Sequence, residues 1–313
     1  MPCKDFTATN VRSVVVQLLQ FLTDTKVFTS GSEWKLCDIS TPRDFVDRCI
    51  IKGCGDGDDE IYIGIQVREG SINGDIPGQT DIRFNGYAAY DEALNWYEQP
   101  GCIYHSTLPI MPLPEANRLQ CWVSANTFRF ILVAQESTQY ESCYCGLMKP
   151  VSVERQYPYP LVIGGSAYDG VKWDSYGNDH SMWTNPGGTD TNTSLRLRRA
   201  DGAWEAGSNK DASPITGTLC VWPQNTQPTH ILTVLDNSLT VENVIMFPML
   251  LYECGKEVNE PSGIVGEFDG VYFIGNREDI SAKDTLVYNG KPYMVFSNVD
   301  RRDNDEYFAI EWF

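Results

Sequence analysis

Glu60–Glu69, EIYIGIQVRE, places Ile61, Ile63, Ile65 and Val67 at every second position. Successive side chains of a strand point to opposite faces, so this alternation predicts a half-buried β-strand with those four residues sharing one face. A second strand is read in FRFILVAQ, Phe128–Gln135. Upstream the period changes. VRSVVVQLLQFLTD, residues 11–24, sets Val11, Val14, Val15, Leu18, Leu19 and Leu22 at helical spacing, with Thr7, Thr9 or Asn10 available as N-cap. It is the one helix predicted. The expected fold class is therefore α+β and mostly β, with one N-terminal helix on a mixed or antiparallel sheet.

Further along, Pro158 and Pro160 make residues 157–161 an extended bend. After Gly164-Gly165 the composition shifts to Gly, Asn, Asp, Ser and Thr with isolated Trp173, Trp183 and Trp204, which reads as loops over a β framework. CGKEVNEPSG, residues 254–263, reads as a linker, and Asn289-Gly290 between two alternating runs signals a hairpin. The expected organisation is an α+β domain over 1–160, a loop-rich β-sandwich-like domain over 161–256, and a small antiparallel β meander over 257–313.

The chain has 313 residues and a formal charge of −18, from 42 acidic and 24 basic residues. Phosphate backbones and anionic membranes attract a surplus of Lys and Arg, so the balance argues against sequence-specific nucleic-acid binding and against a membrane partner. No apolar run reaches the length of a membrane span, and MPCKDFTATN lacks a signal-peptide core.

Ten cysteines include no C-x-x-C pair, so no metal is expected. Cys49, Cys54, Cys143 and Cys145 are the closely spaced ones and the disulfide candidates. Cys143 and Cys145 share one face of a strand, which equally suits small buried hydrophobes. His105, His180 and His230 stand far apart, and GDGDDE, residues 55–60, lacks the rest of a calcium loop. No GxSxG, Walker or dinucleotide motif is present. No cofactor and no catalytic residue is expected. Asp169, Asp174 and Glu205 are the carboxylates an enzyme acting on polysaccharide would use.

Residues 81–166 crowd aromatics, Arg and Pro without paired proton-exchanging groups. Such residues are enriched where proteins meet. Arg83, Phe84, Tyr87, Tyr90, Trp96 and Tyr97, with Tyr157, Tyr159 and Leu161, are the candidate partner contacts; burial within their own domain is the competing role. Trp173, Trp183 and Trp204 can stack on sugar rings or fill the core of the second domain.

The order of DEIYIGIQ, FNGYAAYDEALNWYEQPG, NTFRFILVAQESTQYESCYCG, YPYPLVIGGS and the run from GEFDGVYFIG to the C-terminal DEYFAIEWF resembles a family of structural proteins of tailed bacteriophages. The likeness covers most of the chain and is weakest between Ala167 and Pro214; Cys102, Cys121, Cys143 and Cys145 depart from the family's pattern. The resemblance implies a virion protein of the neck or tail, collar or tail-terminator-like, assembled in the bacterial cytoplasm. It also implies a homo-oligomeric ring of roughly six or twelve copies that contacts other virion proteins. The alternative function is a glycan- or receptor-binding module of the particle.

Overall fold

A computed structural model describes residues 1–40, 47–55, 60–69, 78–103, 108–115, 118–151, 161–173, 181–183, 187–189, 192–207, 219–222, 246–253, 263–274, 280–298 and 307–313. In chain order the first elements are β1 (Cys3–Ala8), α1 (Val11–Leu22), β2 (Lys35–Ser40), β3 (Arg48–Gly53), β4 (Ile61–Glu69), β5 (Gln79–Tyr87) and β6 (Pro109–Pro114). Then come β7 (Leu119–Ala125), β8 (Arg129–Glu136), β9 (Gln139–Leu147), β10 (Leu161–Gly165), β11 (Ala167–Tyr168), β12 (Gly187–Thr189), β13 (Asn192–Thr193), β14 (Leu195–Arg198) and β15 (Trp204–Ala206). The last are β16 (Leu219–Trp222), β17 (Met246–Glu253), β18 (Gly263–Ile274), β19 (Thr285–Tyr288), β20 (Lys291–Ser297) and β21 (Tyr307–Glu311). The protein is mostly β with one helix near its N-terminus and several antiparallel sheets, an α+β fold as expected.

Three large sheets stack around the middle one. The central sheet runs β1-β7-β8-β9-β10-β14-β15; the second runs β11-β6-β5-β4-β3-β2; the C-terminal sheet runs β16-β17-β18-β21-β20-β19. The central sheet is buried on both faces. Along β8, Phe130, Leu132 and Ala134 enter one core with β4, β5 and α1, whereas Ile131 and Val133 enter a second core with Phe268, Val271, Phe296 and Phe308. This two-sided burial is why Phe130–Ala134 reads as an uninterrupted apolar run rather than an alternation. Each aliphatic side chain taken fully from water contributes about 2 kcal/mol, and β8 spends none on a solvent face there.

Ile61, Ile63, Ile65 and Val67 all lie in the first core, as their alternation predicts. Gly64, between them, is small for a reason: a Cβ there would stand 2.3 Å from Tyr87 Oη and 2.7 Å from Trp96 Nε1. The helix is capped by Asn10, whose side chain accepts from Ser13 N at 2.8 Å, while the Ser13 hydroxyl accepts from Asn10 N at 3.1 Å. It stops at Leu22, the last residue at helical spacing and two residues short of the segment read as helical, where Thr23 closes it with a side-chain bond to Leu19 O at 2.8 Å. The predicted hairpin joins β19 to β20, with Asn289 and Gly290 at φ 50° and 77°.

The sheets cross both expected boundaries. β10 and β14 extend the sheet begun by β7–β9 through the residue-160 boundary, and β17 of the expected second domain pairs with β18 of the expected third. The composition change after Gly165 falls inside the central sheet, which continues through β14 and β15.

Candidate functional site

β5 divides its residues between two faces. Phe84 packs in the first core, its ring centroid 6.5 Å from that of Phe130. Tyr87 donates to Trp96 O at 2.9 Å, and Trp96 Nε1 donates to Cys49 O at 3.2 Å, with the two rings edge-on at 6.1 Å. Asn85 accepts from Ile103 N at 2.9 Å. These bonds clamp residues 88–103 onto the second sheet. Arg83, Phe84, Tyr87 and Trp96 are fully buried within their own chain. They are therefore not partner contacts; their aromatic area is consumed in covering the sheet. Tyr90 and Tyr97 are half-buried against the same core, and the Tyr97 hydroxyl meets Gln66 Oε1 at 2.8 Å. Leu161 is a core residue, whereas Tyr157 and Tyr159 lie outside the described residues.

The most unusual chemistry sits at the other end of β5. Gln79, Asp81 and Arg83 fall at alternate positions, hence on one face. Arg83 Nη2 pairs with Asp169 Oδ1 at 3.0 Å. Gln79 Nε2 donates to Asp81 Oδ1 at 2.7 Å and to Val171 O at 3.0 Å, and Gln79 Oε1 accepts from Trp173 N at 3.0 Å. From β9, Glu141 accepts a hydrogen bond from the Ser166 hydroxyl. Burial pushes Asp81 up to about 7, against the pull of Gln79 and Arg83, and pushes Glu141 up to about 8. The same desolvation lowers Arg83. All four ionisable groups are buried, so the cluster presents none of them to a dissolved substrate.

The carboxylates expected of a polysaccharide-cleaving site do not meet here. Asp169 belongs to Arg83; Glu205 pairs with Arg199, which also reaches Glu253 Oε1 at 2.9 Å; Asp174 lies outside the described residues. The three tryptophans do not form a sugar platform either. Trp183 is buried in the second core, Trp204 lies over Gly86 and donates to Gly101 O at 2.7 Å, and Trp173 is half-buried beside Gln79. The three histidines and most of the acidic loop before β4 lie outside the described residues.

Cys49, Cys54, Cys143 and Cys145 are all free thiols, so the expected bridges are absent among the described residues. Cys143 and Cys145 point from one face of β9 into the first core, where apolar neighbours suit them as small hydrophobes. Burial pushes Cys49 and Cys121 up to about 12 and raises Cys145 well above the usual thiol range, with Cys143 adding to the effect. Since the thiolate is the reactive form, a maleimide pulse on the native protein is expected to label half-buried Cys3, Cys37, Cys54 and Cys102 first. Cys49, Cys121, Cys143, Cys145 and Cys220 should stay unlabelled until denaturant is added. Peptide mapping that found Cys143 labelled in the native state would contradict the packing of β9.

A feature with no clear sequence signal is a cleft of about 280 Å³ between the central and C-terminal sheets, lined in part by Phe128, Met148, Lys149, Asp269 and Lys291. Both lysines are engaged: Lys149 with Glu267 at 3.3 Å, Lys291 with Glu311 at 2.8 Å. No protein-family model matches this chain, and a search of curated proteins returns no match.

Proposed function

We propose that this chain is a non-enzymatic structural component of a tailed-phage virion, a ring-forming protein of the neck or tail. The reading rests on the ordered resemblance of its segments, and one geometric observation favours assembly. Among the described residues, β2 ends the second sheet and β19 ends the C-terminal sheet, two unlike edges. Each carries an exposed apolar side chain, Leu36 at 43% and Val287 at 74% exposure. Unpaired strand edges are templates for another chain, and a ring closes through head-to-tail contacts between two different patches. With Phe84, Tyr87 and Trp96 buried within the chain, such edges take over as the contact surfaces. Virion localisation and contacts to other tail or neck proteins are part of the same proposal; no helix among the described residues is long and apolar enough to cross a membrane.

Native mass spectrometry of the purified protein, with imaging of particles, tests this. The expected result is a closed ring of roughly six or twelve copies, weakened by Leu36→Lys or Val287→Lys, and the chain present in virions. A strictly monomeric protein absent from particles would overturn the proposal.

A further inference from the structure

We propose that Asn289-Gly290, the turn between β19 and β20, is a site of spontaneous deamidation, and that its isoaspartate product releases β19 from the C-terminal sheet. The sequence holds three Asn-Gly pairs, at 73–74, 85–86 and 289–290. Glycine is the residue best suited to follow a deamidating asparagine, because no side chain shields the backbone nitrogen that must attack. The fold treats the second and third pairs in opposite ways; Asn73-Gly74 lies outside the described residues.

The chemistry needs one geometry. The Gly290 nitrogen gives its proton to hydroxide or water and attacks Asn289 Cγ; an N–Cγ bond forms, the Cγ–Nδ2 bond breaks, and the side-chain nitrogen leaves as ammonia. Water then opens the five-membered imide. Cleavage of its N–Cγ bond gives aspartate, and cleavage of the bond to the former main-chain carbonyl gives isoaspartate, whose backbone runs on through Cβ and Cγ. Nothing is oxidised or reduced. Ring closure requires the glycine nitrogen to eclipse Asn289 Cβ about the Cα–C bond.

At Asn289-Gly290 that arrangement is one peptide rotation away. Tyr288 and Lys291 are the last pair of the β19–β20 ladder, so residues 289 and 290 form a two-residue loop outside it. Their φ values of 50° and 77° are those of a type I′ turn. Turning over the peptide unit between them gives type II′, the other two-residue hairpin turn, in which the first residue has φ about +60° and ψ about −120°. That ψ brings the glycine nitrogen beside Cβ and within reach of Cγ, while the φ of Asn289 scarcely changes. Gly290 absorbs the compensating change because it has no Cβ, and nothing lies within 4 Å of where one would be. Both residues are exposed, so water and hydroxide reach the imide.

At Asn85-Gly86 the same dipeptide is locked. Both residues are paired to β4 within the second sheet, Asn85 opposite Gly64 and Gly86 opposite Ile63. Asn85 is fully buried, and its Oδ1 accepts from Ile103 N and from Gly86 N, each at 2.9 Å. A Cβ at Gly86 would stand 2.4 Å from the Trp204 ring, so the peptide has no room to turn.

The two products differ in consequence. Asp-Gly is itself a type I′ former, so aspartate keeps the hairpin. Isoaspartate inserts a methylene into the main chain of a two-residue loop and breaks the match between Tyr288 and Lys291. Among the described residues β19 is the outermost strand of its sheet and pairs with β20 alone, so it loses the turn that sets its register.

Peptide mapping of wild type aged in mildly alkaline buffer, with fragmentation that separates isoaspartate from aspartate, tests the site. Native protein is expected to convert Asn289 at least about tenfold faster than Asn85, whereas in denaturant, where local sequence alone acts, the two should react at similar rates. Native Asn289 that stays an amide while the denatured control reacts, or native Asn85 converting as fast as Asn289, would overturn the proposal. Hydrogen exchange on the aged sample tests the release of β19, since chromatography separates isoaspartate peptides from unmodified ones. The isoaspartate peptide should exchange at least about tenfold faster over β19; equal protection in both forms would overturn that release.

Discussion

Trp183→Ala is expected to destabilise the protein by about 3–5 kcal/mol, among the largest effects of any single substitution. The indole sits between the central and C-terminal sheets, its ring centroid 6.4 Å from Tyr144, 5.3 Å from Phe268 and 5.4 Å from Phe308. Its Nε1 donates to the Ser142 hydroxyl at 3.0 Å. Alanine would therefore leave a cavity enclosed by aromatics from two sheets and remove a buried polar partner, and both losses add. Trp204→Ala is the informative contrast: that ring is only half-buried and touches one margin of the first core, so it should cost clearly less. Chemical denaturation with an unchanged m-value is the measurement. If Trp183→Ala cost under about 1 kcal/mol, the residue would not be the inter-sheet anchor described, and its role as an exposed stacking face would return.

The contrast between these two tryptophans shows what could be read from the chain and what could not. Local periodicity identified the strand at Ile61–Glu69, the helix from Val11 and the hairpin at Asn289-Gly290, because each signal is complete within about a dozen residues. Burial on both faces of β8 was latent in FRFILVAQ, yet the identity of the second covering layer was not: Ile131 and Val133 meet Phe268, Phe296 and Phe308, far along the chain. Gly164-Gly165 looked like a break for a similar reason. A Cβ at Gly165 would lie 2.2 Å from Ile110 O, so the small residue serves a close crossing of two layers. Trp183 and Trp204 share a composition and a neighbourhood in sequence, but the sheets that enclose them come from elsewhere. At the buried polar cluster, Arg83 stood out as a charge in an aromatic stretch, and its partner Asp169 is 86 residues away. Pairing across that distance has no local signature.

The second large effect is expected at the junction of β8 with the C-terminal sheet. Arg129 is fully buried; its Nη1 donates to Ser124 O at 3.0 Å, and its Nε faces Asp269 Oδ2 at 3.3 Å. Asp269, 27% exposed, also accepts from Asn126 Nδ2 at 2.7 Å. The two partners are not equivalent, and burial decides which loss is worse. Asp269→Ala strands a guanidinium in the interior with only neutral acceptors, for which about 3–5 kcal/mol is the expected cost. Arg129→Met leaves a carboxylate that water and Asn126 still reach and fills the vacated space with an apolar chain, so about 1–3 kcal/mol is expected. The double variant should be less damaged than the sum of the singles, because removing the arginine also removes the stranded charge. A double-mutant cycle by urea denaturation reads this directly. Equal costs for the two single changes, or strict additivity, would mean that the pair does not join the central and C-terminal sheets, and that apolar contacts such as Ile131 and Val133 against Phe268 hold that junction alone.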